Sequence, residues 1–196
     1  QDIISRPRDI SFDPDSSVVY LVLEDGTLSC LTTYRTEAVT AWCKLNTAGK
    51  FISAAVIGDN IYFCVERKNG WFIEKFVDDY YSDCSLRLTS ETPQRDWSGL
   101  EHLEGEEVVV LANGFSLGKF KVEEGEIHLL DEADEIIVGL PYEHLIEPLP
   151  YMVEAERPYS PKALRVIGAR FRILDSKSFC IDIGSGYFHY PLKRIH

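Results

Sequence analysis

The sequence predicts an all-β protein: propeller-blade-like antiparallel meanders plus a small antiparallel module, sandwich-like or barrel-like. Three observations carry this expectation. Two stretches about 42 residues apart resemble one another. Val19-Tyr20-Leu21-Val22-Leu23-Glu24 runs through Asp25-Gly26 into Thr27-Leu28-Ser29-Cys30-Leu31, and Ile61-Tyr62-Phe63-Cys64-Val65-Glu66 runs through Arg67-Lys68-Asn69-Gly70 into Trp71-Phe72-Ile73-Glu74. Asp-Gly and Asn-Gly between β-favouring runs are strong hairpin signals, because the turn they support matches strand twist. A hairpin-built repeat of roughly 40–45 residues has the period of a propeller blade. Second, short apolar runs after residue 100 are separated by polar turns with glycine. Third, convincing helical periodicity is almost absent.

Each element follows from this pattern. Asp9-Ile10-Ser11-Phe12 and Ser53-Ala54-Ala55-Val56 precede the two hairpins, each followed by a polar turn (13–17 and 58–60). Val39–Cys43 fits the outer strand of the first blade. Tyr34–Thr40 fits a short helical turn as well, and both readings stay open. Tyr80–Leu86 occupies the matching outer place after the second hairpin. Residues 87–99, polar and carrying Pro93 and Gly99, read as a boundary. Then come Glu107–Leu111, the turn Asn113-Gly114, Phe115–Val122, the turn Glu124-Gly125, Glu126–Leu129, a polar turn at Asp131–Asp134, and Ile136–Leu140. Glycine belongs at such turns because it tolerates positive φ. Pro141, Pro148, Pro150, Pro158 and Pro161 mark an extended connection. Leu164–Leu174 alternates as a strand, Asp175–Ser178 is a turn, and Phe179–Gly184 is the return strand. The expected domains are 1–90 (blade-like), 91–145 (small antiparallel module) and 146–196 (proline-rich connection and returning strands).

Composition narrows the function classes. The 196 residues are 45% hydrophobic and 27% charged, which fits a folded chain rather than a disordered one. No apolar run approaches the roughly 20 residues of a membrane span, so no membrane anchor is expected. The chain begins at Gln1 with nothing resembling a signal peptide, as expected of an excised piece or a processed product. Either accounts for a repeat with too few copies, since a blade is not stable alone. The net charge of −12 argues against tight nucleic-acid binding, which relies on Lys and Arg against phosphates, and against adhesion to anionic membranes. The acidic surplus gathers at Glu101, Glu104, Glu106, Glu107, Glu123, Glu124, Glu126, Asp131, Glu132, Asp134 and Glu135, while the stretch from Arg157 to Arg194 is basic by comparison. Such a cluster usually serves as a solvated face, and beside moving DNA its repulsion prevents sticking. Cys30, Cys43, Cys64, Cys84 and Cys180 contain no CxxC pair and read as buried small hydrophobes in a reducing compartment, with no disulfide framework or zinc site.

Motifs for chemistry are sparse. There is no phosphate-binding GxxxxGK[ST] or GxGxxG and no GxSxG elbow. His102, His128, His144, His189 and His196 form no HExxH and no local pair. On a strand His102 and Glu104 would share a face, although an ordinary polar pair at a domain junction is the simpler reading. Asp78-Asp79 and Glu106-Glu107 are adjacent, so on a strand they face opposite sides and make no ready acid/base couple. Tyr80, Tyr81 and Trp97 could stack on a sugar. No catalytic residue, cofactor or metal is expected.

The run from Val22 to Leu28 with Leu31–Arg35 and Val39–Trp42, then Phe51–Ile57 with Ile61–Arg67 and Ile73-Glu74, then Leu100-Glu101-His102-Leu103-Glu104-Gly105 with Asn113-Gly114, Gly125 and Val138-Gly139-Leu140-Pro141-Tyr142, resembles a pattern in phage tails. Together these motifs, spread over most of residues 18–183, resemble the nozzle proteins of short-tailed bacteriophages and prophages, also called tail tubular protein B. The resemblance implies a virion structural protein with propeller blades and inserted β-modules, made in the bacterial host cytoplasm and assembled with copies of itself and neighbouring tail proteins as a ring around the DNA channel. DNA passes without specific binding, and no catalytic residue is carried over. The matching positions are Asp25, Gly26, Trp42, Leu100, His102, Leu103, Gly105, Gly114, Gly139, Leu140, Pro141 and Tyr142. The alternatives are a carbohydrate- or receptor-binding module of a tail and a hydrolase of cell-wall polymers.

Overall fold

The computed structural model describes residues 6–34, 38–148, 167–172 and 178–191. The protein is all-β, and among the described residues the only helical element is a 3-10 turn at Glu101–Leu103. The chain divides into two compact units, 1–146 and 147–196.

In the first unit, β1 (Pro7–Asp13), β2 (Val18–Leu23), β3 (Leu28–Tyr34) and β4 (Val39–Leu45) form an antiparallel meander in that order. The β2–β3 turn is fixed by Asp25, whose carboxylate accepts bonds from the Thr27 N–H (2.9 Å) and hydroxyl (2.6 Å). Gly26 sits at φ +82°, where a side chain is strained. β4 settles the outer-strand reading of Val39–Cys43; residues 35–37 of the alternative helical turn lie outside the described residues.

β5 (Lys50–Ile57), β6 (Asn60–Arg67) and β7 (Gly70–Lys75) make a second meander. Its strands start where the repeat places them, β6 and β7 each 42 residues after β2 and β3, since 60 − 18 = 42 and 70 − 28 = 42. The copy stops at three strands. Of the stretch Tyr80–Leu86 expected as its outer strand, Asp83–Leu86 belongs instead to β8 (Asp83–Ser98), which pairs with β11 (Glu126–Leu140), and 80–82 are not strand. Residues 87–98 are therefore strand rather than connection, and the expected boundary at 90–91 falls inside β8.

The third sheet has the order β10-β9-β11-β8, with β9 Glu107–Ala112 and β10 Phe115–Lys121. It is a single open sheet, not a closed barrel. Asn113 and Gly114 both have positive φ (48° and 78°), the primed turn that suits a two-residue hairpin. The expected polar turn at 131–134 is absent: β11 runs unbroken for 15 residues with register shifts between His128 and Glu135. The shifts change which alternate residues face inward, from Ile127, Leu129 and Ala133 to Ile136 and Val138. All five join Trp97, Leu100, Leu103, Val108 and Val110 in one core.

In the second unit, residues 167–172 carry no strand, against the expectation for Leu164–Leu174, whose other residues lie outside the described set. The strand at Phe179 is real, but β12 (Ser178–Asp182) pairs with β13 (Tyr187–Pro191). Asp182 accepts the N–H groups of Gly184 (2.8 Å) and Gly186 (3.2 Å), closing a turn that the sequence reading missed.

Candidate functional site

The first two sheets stack face to face. Tyr20, Val22, Leu28 and Cys30 bury against Ile61, Phe63 and Val65. The Tyr20 and Phe63 rings meet edge-on at 5.9 Å, as do Phe51 and Phe63 at 5.2 Å, a geometry favoured by the ring quadrupoles. Asp9 on β1 accepts the Ala54 N–H of β5 (3.0 Å), and the Phe51 N–H donates to the Gly26 carbonyl (2.9 Å). A Cβ on Gly26 would lie 2.6 Å from the Cβ of Lys50. The Asp25-Gly26 motif thus does two things: it turns the hairpin and admits the neighbouring sheet.

Alignment of the two copies exposes an asymmetry. Tyr20 matches Tyr62 and Val22 matches Cys64. Tyr20 and Val22 are buried, whereas the second sheet buries the alternate set, Ile61, Phe63 and Val65. Tyr62 and Cys64 therefore lie on its outer face, in register with Lys75 and Ile73 and next to Trp71. Trp71 is 63% and Ile73 74% exposed. On the far side of the stack, the back of the first sheet presents Ile10 (64% exposed) and Phe12 (53%), paired with Leu21 and Val19, and then Leu31 paired with Trp42. Among the described residues of the first unit, nothing covers these two apolar faces, one on each outer side. Exposed apolar surface on a folded protein is a candidate site for contact with a partner or ligand.

A cleft of about 660 Å3 lies beside β7, lined by Phe72, Phe76, Tyr80, His102, Tyr142 and His144 among others. Its acids are Glu74, Asp78 and Asp83. Two of them are committed. The buried Arg67 guanidinium donates to both Asp83 oxygens (Nη2 3.0 Å, Nη1 3.2 Å) and to both Glu74 oxygens, Nη2 at 2.6 Å and Nε. It also reaches the Ala48 carbonyl at 3.3 Å. Asp83 further accepts the Thr47 hydroxyl (2.8 Å) and the Ala48 N–H (2.8 Å). Burial alone would raise the Asp83 carboxyl, but its bonds with Arg67 and Ala48 hold it below the ordinary value. For Arg67, burial opposes the charge, and Glu74 and Asp83 outweigh it, so its pKa rises. This network fastens β6 and β7 to the start of β8. Burial lowers the His102 imidazole against a bond to the Cys84 backbone. Burial thus favours the neutral ring in the cleft wall.

The resemblance positions are spread through the first unit. Leu100, Leu103 and Leu140 are core residues of the third sheet. His102 and Tyr142 come together in the cleft wall, and burial raises the Tyr142 hydroxyl. Asp25, Gly26 and Trp42 belong to the first sheet, and Pro141 is exposed. Gly105 and Gly114 take positive φ in turns. Gly139 is required by close approach: a Cβ there would lie 2.5 Å from the Ser85 hydroxyl and 2.8 Å from the Asp83 carbonyl.

Several expected groupings are not formed. His102 sits in the 3-10 turn, not a strand, and the Glu104 carboxylate instead accepts the N–H groups of Glu124 (3.2 Å) and Gly125 (2.7 Å). Trp97 is 2% exposed in the third-sheet core, so it cannot join Tyr80 and Tyr81 in a stacking platform. Much of the acidic surplus is paired: Glu106 with Lys68 (2.9 Å), Glu107 with Lys119 (2.6 Å), Glu123 with Lys121 (2.9 Å), Glu135 with Arg87 (2.5 Å). Among the described residues no three His, Cys, Asp or Glu side chains cluster to hold a metal, and no helix is long and apolar enough to cross a membrane.

No protein-family model matches the chain, and no curated protein matches it.

Proposed function

We propose that this chain is a non-catalytic structural component of a phage or prophage tail, a nozzle-like ring subunit around the DNA channel that acts by protein–protein assembly. One observation carries the reading: the two open apolar faces of the stacked sheets. The outer face of the second sheet (Tyr62, Cys64, Trp71, Ile73) matches, position for position in β2 and β6, the first-sheet face that already carries a neighbour. A further blade-like meander stacking in the same sense would cover it. That is the arrangement of successive propeller blades, and it agrees with the motif resemblance along residues 18–183. The engagement of Glu74 and Asp83 by Arg67 favours a binding surface over a hydrolytic site, which needs a free acid pair. The acidic surface of the third sheet, turned toward the channel, lets DNA slide past without sticking.

The test is assembly. The protein is produced alone and with the tail proteins encoded beside it, then examined by sedimentation and negative-stain imaging. Concentration-dependent association or ring particles are expected, and Trp71→Glu is expected to abolish them while the fold remains. A persistent monomer that binds none of its neighbours overturns the proposal. A glycan array separates the carbohydrate-binding alternative, for which Tyr80 and Tyr81 remain on the cleft.

A further inference from the structure

Cys30 and Cys43 are direct partners across the β3–β4 ladder. Opposed residues project from the same face of the sheet. The ladder holds their Cα atoms about 4.5 or 5.5 Å apart, depending on the type of pair. Both spacings fall within the roughly 4.4–6.8 Å that a disulfide spans. The two thiols differ in access. Cys30 is 4% exposed within the stack of the first two sheets, whereas Cys43 is exposed. Cys43 lies on β4, an edge strand that among the described residues has no neighbour on its other side to resist a small inward shift. We propose that Cys30 and Cys43 form a reversible cross-strand disulfide, entered through Cys43, that locks β4 onto the first sheet when the surroundings become oxidising.

The chemistry is thiol–disulfide exchange with a small-molecule disulfide such as oxidised glutathione. The Cys43 thiolate attacks one sulfur of that disulfide, its S–S bond breaks, and one glutathione leaves as a thiolate that takes up a proton. The Cys30 thiol then gives its proton to water, and its thiolate attacks the Cys43 sulfur, expelling the second glutathione. The two protein thiols lose two electrons in total, and the disulfide gains them as two glutathione thiols. Burial pushes the Cys30 thiol pKa up, and the neighbouring Cys43 thiol adds to this through charge and a hydrogen bond. The second step therefore waits on a scarce thiolate. Neighbour contact favours that step, while the raised pKa makes it the slow one.

Cys180 supplies an internal control. It is exposed on β12, and its register partner is His189, not a cysteine. The intact protein is incubated with oxidised glutathione, quenched by alkylation, and read by intact mass and peptide mapping. The expected result is a Cys30–Cys43 linked peptide, with glutathione retained at Cys180. The link should form about tenfold faster per pH unit between pH 7 and 8.5, following the thiolate fraction. Cys43→Ser, an exposed change that leaves the core alone, should abolish the link, and Cys30→Ser should trap glutathione on Cys43. If, at the end of the reaction at pH 8.5, Cys43 in the unaltered protein still retains its glutathione as Cys180 does, or links only to a cysteine of another molecule, the proposal is overturned.

Discussion

The first and second sheets are two copies of one sequence pattern in different surroundings. In the first sheet, four strands close the meander and one face is sealed by its neighbour. In the second, three strands stop short and the matching face stands open. Leu28 is fully buried, while Trp71 and Ile73, next to the matching β6 residues, are mostly exposed. The difference lies in what stacks on each sheet and not in strand propensity: both copies are rich in β-branched and aromatic residues. Burial in a repeat is a property of adjacent units, so the last copy shows what the next one would cover.

The sharpest way to break the comparison is at the fastening of the second sheet. Arg67→Ala leaves Glu74 and Asp83 facing one another without their cation. Removal of one partner from a buried ion pair costs about 3–5 kcal/mol, and urea unfolding should show a loss of that size. The pH dependence follows from Asp83. Its folded pKa lies below the ordinary value of 3.8, so its contribution is fully present above that value and is lost as pH falls through the lower folded pKa. Unfolding midpoints between pH 6 and pH 2 should therefore drop, and the Arg67→Ala drop should be shallower.

Next in size is Leu28→Ala. Truncating a fully buried leucine costs about 2–5 kcal/mol, measured in the same way. A smaller loss would mean that the sheets separate readily and that their stack is not a unit.

These residues also show how far the sequence could be read. The repeat, both hairpin turns and the Asn113-Gly114 turn were legible, because each rests on local backbone preference. The fate of β8 was not. Thr89 to Gln94 are polar on a strand whose partner, β11, is more than 30 residues away, and long-range pairing leaves no local mark. Asp131 to Asp134 misread as a turn for a related reason: a register shift interrupts alternation just as a loop does. β13 was within reach, since Asp182 followed by Gly184 and Gly186 is a turn signal. At the site, the contribution of His102 to a cleft wall and the burial of Trp97 depend on β8 joining the third sheet while its first residue, Asp83, is held by Arg67, so neither followed from spacing. The Asp25-Gly26 hairpin was foreseen, but its contact with Lys50 was not.

That contact gives the third expected effect. Gly26→Ala places a side chain at φ +82°, which alone costs about 1–2 kcal/mol, and sets its Cβ against Lys50. The double variant Gly26→Ala with Lys50→Gly should recover the clash component but not the conformational one. If the second change recovers nothing, the turn and β5 are less closely apposed than the 2.6 Å approach indicates.

The smallest effect on stability is the most informative about function. Ile73→Ala removes the same kind of apolar surface as Leu28→Ala, but from the open face. An exposed position away from special backbone or polar features changes stability by within about 0.5 kcal/mol, so the dilute protein should unfold almost where the parent does. If a further sheet stacks on that face, the same change must weaken association measurably, since the methyl groups then lose a buried environment. Sedimentation across a concentration series reads this directly. Unchanged stability with weakened association means the face is built for a partner. If both are unchanged, the open face is merely uncovered surface, and the likeness between the two sheets ends at their strands.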